Sequence, residues 1–172
     1  MSGKRGWLAS GVAGLLAAAR PGVDLSARPM STTAPPPASG PEPVRYERLF
    51  SVAPNDIDDR GHVNNVVYLR WVQEVAAAHW EATVAPQERA DIAWVVLRHE
   101  IDYHHPALPE DQVIARTWVG PVQAARFERH TEILRASDRH VLARARSLWC
   151  PVHASTGRPR RVDPALNARF HQ

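Results

Sequence analysis

One long stretch of this chain repeats apolar residues with the period of an α-helix. Its apolar residues are Val66, Val67, Leu69, Trp71, Val72, Val75, Ala76 and Trp80. They cover most of the circumference of a helix, and only a narrow polar strip remains. A helix this apolar is normally enclosed on several sides. The pattern therefore predicts one long helix from about Asn65 to Trp80 or a little beyond, with Trp71 and Trp80 in the core.

Five other segments have the alternation, or the β-branched and aromatic content, of β-strands. They cover about residues 44–52, 92–103, 112–119, 124–134 and 140–152. Short turns, predicted at Gly120-Pro121 and at 137–139, join the last three segments and imply antiparallel neighbours. One strand, one helix and four strands in this order indicate an α+β fold. In it, an antiparallel sheet of about five strands is wrapped around one long central α-helix.

Residues 1–43 differ in composition from the rest of the chain. They hold seven of the fifteen prolines and much Ala, Gly and Ser. Such a composition buries too little apolar surface to offset the entropy lost on ordering. We therefore expect a disordered, Pro/Ala-rich segment at 1–43 and one folded domain at 44–172.

A basic and apolar stretch near the start of the chain admits two interpretations. Lys4 and Arg5 precede an apolar run at 7–19, which imitates a secretory signal and is too short for a membrane span. The alternative is that translation begins at Met30. We favour Met30, because the rest of the chain, with Cys150 as its single cysteine, is typical of a cytoplasmic protein.

The charge balance does not indicate nucleic-acid binding. The whole chain has a net charge of +3, of which residues 1–43 contribute +2 from four cations and two anions. No basic stripe alternates with aromatic residues, as a nucleic-acid surface would require. Arg158, Arg160 and Arg161 form one small cluster. It is either a solvated charged face or a contact for the phosphates of coenzyme A, which suit arginine.

The richest polar stretch lies directly before the predicted helix. Asn64 is a good N-cap, because its side-chain oxygen can accept from a free N–H of the first helical turn. Gly61 allows a positive φ where the chain must bend sharply. The loop thereby brings Asp58 and His62 close to the positive end of the helix, an arrangement that could support chemistry on a carbonyl group.

Two simpler interpretations of this loop need weighing. Asp and Asn are common in purely structural turns, and we interpret Asp56 and Asp59 as turn and surface residues. A calcium loop would start at Asp56, but its fifth position is Arg60 and its twelfth is Val67, where a bidentate Glu is required. The histidines of the chain have no metal-ligand spacing and no cysteine pair beside them. Nothing here demands a metal or redox cofactor.

The loop and the start of the helix resemble a known signature. The run is Asp56-x-Asp58-x-x-Gly61-His62-Val63-Asn64-Asn65-x-x-Tyr68-x-x-Trp71. It resembles hotdog-fold acyl-CoA thioesterases of the 4-hydroxybenzoyl-CoA thioesterase-like branch, and also plant acyl-carrier-protein thioesterases. The similarity extends over about 44–164, including Ile101-Asp102-Tyr103-x-x-Pro106 and Thr156-Gly157-Arg158-Pro159. The plant enzymes carry Asn two residues after the catalytic Asp, where this chain has Arg60, and this departure puts the plant-type mechanism in doubt.

The resemblance implies a hotdog fold and a thioesterase acting on an acyl-CoA or an acyl-carrier protein. Asp58 occupies the position of the catalytic carboxylate, as general base on water or as nucleophile. The N–H of Asn65 would polarise the thioester carbonyl. His62 would orient substrate or help hold Asp58, or would have only a structural role in hydrogen-bonding the loop. The resemblance also implies a homodimer or dimer of dimers with its active sites at the subunit interface. The expected substrate contacts are Gly61, Asn64, Tyr68 and Arg158.

Two rival functions remain. Hotdog hydratases and dehydratases, which act on enoyl-thioesters, carry His five residues after Asp and an Asn-Pro pair between them. Here His62 is four residues after Asp58, and Arg60-Gly61 replaces Asn-Pro. The second rival is a non-catalytic module that binds acyl-CoA, which would bind without turnover.

Overall fold

The computed structural model describes residues 43–171. The predicted disordered segment at 1–43, the signal-like run and the predicted start at Met30 therefore lie outside the described residues, except for residue 43 itself. The strands are β1 (Tyr46–Ser51), β2 (Ile92–Tyr103), β3 (Gln112–Gln123), β4 (Arg126–Arg135) and β5 (Val141–His153). The helices are α1 (Asn65–Thr83), α2 (Pro86–Arg89) and α3 (Pro164–Ala168), with a 3-10 turn at Pro54–Asp56.

The five strands form one antiparallel sheet in the order β1-β3-β4-β5-β2. Helix α1 packs on one face of this sheet, against β1, β3 and β4. The predicted α+β architecture, with one long helix and about five strands, is confirmed. Strand β2 pairs only with β5, so it forms one edge of the sheet. No helix within 43–171 is long and apolar enough to cross a bilayer.

The core lies between α1 and the sheet. Trp71, Val72 and Val75 are at most 1% exposed and pack against inward-facing residues of the strands. Their spacing places them on one side of the helix. A second apolar cluster of buried residues surrounds Phe170 near the carboxyl end of the chain. Trp71 is therefore in the core as predicted, whereas Trp80 is only partly buried, at the border of the second cluster.

The predicted turn at Gly120-Pro121 is wrong. Strand β3 continues through both residues, and the chain reverses at Ala124, whose φ is 54°. The register of β3 against β4 shifts between Val119 and Val122, and such irregularities are where a strand tolerates a proline. A Cβ at Gly120 would lie 2.8 Å from the ring of His130. Glycine is therefore used here for close packing inside a strand.

Candidate functional site

The loop before α1 is folded by hydrogen bonds between its own backbone groups. The Asp58 N–H donates to the His62 carbonyl at 2.8 Å, and the Gly61 N–H donates to the Asp58 carbonyl at 3.1 Å. Gly61 adopts the predicted positive φ, at 78°. Ile57 and Val63 form a bridge across the base of the loop. The loop is thus a closed turn that holds Asp58 in one orientation.

The carboxylate of Asp58 is held on one oxygen. Its Oδ1 accepts from the backbone N–H groups of Arg60, at 2.9 Å, and His62, at 3.1 Å. These donors favour the charged form, and the His62 N–H is the largest of the causes that lower the pKa of Asp58. Within residues 43–171, Oδ2 has no assigned partner. A neutral solution therefore keeps Asp58 ionised, with one oxygen available.

The start of α1 leaves one backbone donor available. Asn64 is the N-cap as predicted: its Oδ1 accepts from Val66 N–H at 3.1 Å. The Asn64 carbonyl accepts from Val67 N–H at 2.9 Å. In the part of the chain that the structure describes, the N–H of Asn65 has no assigned acceptor. The Tyr103 hydroxyl donates to the Asn65 carbonyl at 3.1 Å, which ties this first residue of the helix to the end of β2.

Asp58, His62 and Asn65 line one surface cleft of about 320 Å³. The other lining residues are Arg60, Val63, Tyr68, Tyr103, His104, His105 and Pro106. The structure therefore brings together the three residues predicted to be catalytic. His62 is exposed, and it holds Asp58 through its backbone N–H rather than through its ring.

The interpretation of Asp56 as a surface residue is wrong. Asp56 is 3% exposed, and its two carboxylate oxygens accept from Arg70 Nη2 at 2.8 and 2.9 Å. Its Oδ2 also accepts from the Ala53 N–H at 3.0 Å, and its carbonyl accepts from the Asn64 N–H at 2.8 Å. Asp56 thus joins the loop to the helix. The sequence signal for this contact was Arg70, a cation that follows Asp56 by fourteen residues and lies inside the helix. Asp59 is exposed, as predicted.

The predicted substrate contacts lie in different places. Tyr68 is 3% exposed; its hydroxyl accepts from the Ala107 N–H at 2.7 Å, and its ring reaches the cleft. Gly61 and Asn64 shape the loop and do not line the cleft. Arg158 is exposed beside the end of β5. This end of β5 pairs with the start of β2, whereas the cleft lies at the other end of β2. The structure does not bring Arg158 to this cleft.

Three residues at the end of β2 were not predicted as site residues. Tyr103, His104 and His105 line the cleft together with Asp58. The sequence signal was the resemblance over 101–106, which carried no role for any single residue. Within 43–171, no group of three or more His, Cys, Asp or Glu side chains could hold a metal ion.

Comparison with known proteins gives a family match. A family model described as the thioesterase-like superfamily matches residues 52–170. A search of curated protein sequences returns no match.

Solved structures share the fold. A 1,4-dihydroxy-2-naphthoyl-CoA thioesterase from Synechocystis is similar at 19% identity and a TM-score of 0.65, over 74% of this chain and 96% of that chain. A thioesterase from Thermus thermophilus, complexed with coenzyme A and zinc, has 21% identity and a TM-score of 0.64, over 73% and 97% of the two chains. A 12:0-ACP thioesterase from Umbellularia californica has 16% identity and a TM-score of 0.63, over 73% and 49%. The hotdog fold implied by the sequence is thereby confirmed.

Proposed function

The chain belongs to the thioesterase-like superfamily, and we propose that it hydrolyses an acyl-CoA or acyl-carrier-protein thioester at the cleft beside α1. The observation that carries the proposal is the pairing of two groups in that cleft. Asp58 and Asn65 line the same cleft, and within residues 43–171 neither Oδ2 of Asp58 nor the N–H of Asn65 has an assigned partner. One group can activate water, and the other can stabilise an oxyanion.

The hydrolysis uses the Asp58 carboxylate first and the Asn65 N–H second. Asp58 takes a proton from water, and the oxygen of that water bonds to the thioester carbon. The carbonyl oxygen becomes an oxyanion that accepts from the Asn65 N–H at the positive end of α1. The C–S bond then breaks, and the thiolate takes the proton from Asp58. The products are a free carboxylic acid and a free thiol.

The lowered pKa of Asp58 suits this role in one respect. Its backbone donors keep the group ionised, and an ionised carboxylate is required whether Asp58 acts as a base on water or attacks the carbonyl itself. In the second route Asp58 forms a mixed anhydride and releases the thiolate, and water then hydrolyses the anhydride.

Thiol release tests the proposed function. Wild type, Asp58→Asn and Asp59→Asn are compared on a panel of acyl-CoAs and acyl-carrier proteins with short, long and aromatic acyl groups. We expect Asp58→Asn to fold and to lose at least about a hundredfold in turnover, the scale of a lost general base. Asp59→Asn makes the same chemical change one residue away on an exposed side chain, and its turnover should match wild type. Equal activity of all three proteins would refute the role of Asp58.

The same panel separates the proposed enzyme from a non-catalytic acyl-CoA-binding module. Saturable binding of acyl-CoA with no thiol release by wild type would favour the module. Release of thiol by wild type would exclude it.

A single turnover in water labelled with ¹⁸O detects the anhydride route when water attacks the aspartyl carbon. If Asp58 activates water, the label enters the released acid in the first turnover. If Asp58 attacks the carbonyl and water then attacks the aspartyl carbon of the anhydride, the label stays on Asp58. Mass spectrometry of the peptide that contains Asp58 detects this second outcome.

We also propose that β2 forms the contact of a homodimer, as the resemblance implies. This edge strand carries three exposed apolar side chains, Val95, Leu97 and Tyr103, which are 46%, 52% and 49% exposed. Tyr103 also lines the cleft, so a partner on β2 would border the proposed active site. Large exposed apolar side chains on an unpaired edge are typical of pairing surfaces.

Sedimentation analysis tests the dimer. Leu97→Glu should convert the dimer to monomer and lower thiol release. Leu49→Glu is the matched control, because Leu49 is 55% exposed on β1, the other edge strand; it should leave the dimer intact. A wild-type protein that is monomeric and active would contradict this proposal.

A further inference from the structure

The second feature of interest is a buried arginine at the other end of α1. Arg129 faces inward on β4 and is 4% exposed. Its Nη1 atom lies 3.0 Å from His79 Nδ1 and 3.3 Å from Thr117 Oγ1. Among residues 43–171, no carboxylate lies within ion-pair distance of Arg129, and its Nε and Nη2 atoms have no assigned partner. Buried arginines are normally paired with an anion.

The charge on Arg129 is retained despite its burial. Burial lowers the pKa of Arg129 to about 10, so the guanidinium stays protonated in neutral solution. Burial, and then the charge of Arg129, lower the pKa of His79 to about 4. His79 is therefore neutral, and its Nδ1 accepts from Arg129. The pair carries one positive charge that no described side chain neutralises.

Arg129 lines an aromatic pocket of about 140 Å³. Its lining residues are Gln73, Ala76, Ala77, Trp80, Trp94, Phe127, Arg129 and Trp149. Arg129 is the one charged residue among them. The indole N–H groups of Trp94 and Trp149 are buried without an acceptor in the described part of the chain. The pocket region thus has hydrogen-bond donors in excess and no anionic acceptor.

This pocket is separate from the cleft that holds Asp58. The two share no lining residue. On α1, the cleft is lined by Asn65 and Tyr68, and the pocket is lined from Gln73 onward. Tyr68 and Gln73 are five residues apart, which is about 7.5 Å along the helix axis. The pocket is therefore a second candidate site, distinct from the cleft.

We propose that this pocket binds a small apolar carboxylate, with its carboxylate on Arg129 and its apolar body between the indole rings. A carboxylate supplies the missing anion and can accept from a guanidinium with two parallel hydrogen bonds. An engineered cavity of about 150 Å³ holds benzene, so the body is one aromatic ring or a short aliphatic chain. The acid originates either from the chain's own thioester hydrolysis or from another source. The site itself does not depend on the proposed hydrolysis.

Benzoate is the probe, and titration calorimetry with tryptophan fluorescence measures its binding. Wild type should bind benzoate saturably and should bind the neutral isostere benzamide at least about tenfold more weakly, because benzamide lacks the negative charge and the second acceptor oxygen. Equal binding of benzoate and benzamide would overturn the proposal. This comparison needs no variant.

Two variants then locate the site. Arg129→Met removes the charge and should weaken benzoate binding at least about tenfold. It removes an unpaired buried charge and also the donor to His79 Nδ1, so urea unfolding of the variant accompanies the titration. Ala77→Phe fills the pocket from an exposed helix position, so it tests the site even if Arg129→Met does not fold. Benzoate binding that survives Ala77→Phe unchanged would overturn the proposal.

The source of the acid is distinguished by a third titration, with the acid released from the best substrate of the thiol-release panel. Binding of that acid as tightly as benzoate, abolished by Ala77→Phe, identifies the reaction product as the ligand. Binding of benzoate alone identifies an acid from outside the reaction. Binding of neither acid to wild type overturns the proposal.

Discussion

Mild acid should destabilise the folded chain through one histidine. His79 is 2% exposed and is stacked on the ring of Tyr46 at 5.1 Å, with Phe170 against its edge. The guanidinium of Arg129 faces its Nδ1. Protonation of His79 would place a second positive charge beside Arg129 in the core. The folded state must therefore resist protonation of this ring.

The size and direction of the effect follow from the two pKa values. His79 has an ordinary pKa of 6.5 in the unfolded chain and a pKa of about 4 in the folded chain. Above pH 6.5 both states hold the ring neutral, and stability does not depend on it. Between these values the unfolded chain binds a proton that the folded chain does not, so stability falls as the pH falls. The loss is about 2 kcal/mol between pH 7 and pH 5 and about 3 kcal/mol by pH 4.

Urea unfolding at pH 7, 6, 5 and 4.5 measures this effect. The matched variant is His79→Gln, whose amide oxygen can still accept from Arg129 and whose side chain does not titrate. Other groups contribute equally to both proteins, so the difference between the two stabilities isolates His79. Wild type should lose about 2 kcal/mol relative to the variant between pH 7 and pH 5. A difference that stays constant with pH would refute the reasoning.

Three substitutions test how the loop before α1 is built, each by urea unfolding. Asp56→Ala should lower the free energy of unfolding by about 2 kcal/mol, because it removes a buried acceptor; half-exposed Arg70 moderates the cost. Asp59→Ala should change the free energy of unfolding by no more than about 0.5 kcal/mol. Equal losses in the two variants would contradict the anchoring role of Asp56. Asn64→Ala should lose about 1 kcal/mol with the helix cap, and an unchanged midpoint would exclude the cap. Gly61→Ala meets no atom within 4 Å, so its loss of about 1 kcal/mol comes from the positive φ alone; no loss would mean that the loop can relax.

The long elements could be predicted because their signals are local. Helix α1 begins at Asn65 as the cap at Asn64 predicts, and β2 spans the predicted residues 92–103. Capping and side-chain period depend on neighbours in the chain, so the sequence alone contains them. The positive φ of Gly61 is predictable for the same reason.

The errors concern contacts between residues distant in the sequence. Gly120 and Pro121 look like a turn, but the ring of His130 on the neighbouring strand determines that glycine is needed there. Asp56 looks like a turn residue, and only its contact with Arg70 shows that it is buried. A local pattern cannot distinguish a solvated polar residue from one with a distant partner. The same limit applies to the aromatic pocket lined by Arg129.

The inward face of β4 carries polar residues that the sequence pattern did not distinguish. The alternation through Phe127, Arg129, Thr131 and Ile133 predicts a strand correctly, and all four side chains are buried. Arg129 lies near the carboxyl-terminal half of α1, where the helix dipole favours a cation by about 0.3–1 kcal/mol. Burial of an ion is opposed by several kcal/mol even after relaxation. The dipole therefore offsets only part of the opposing free energy, and an anionic ligand is the larger source of compensation available to this pocket.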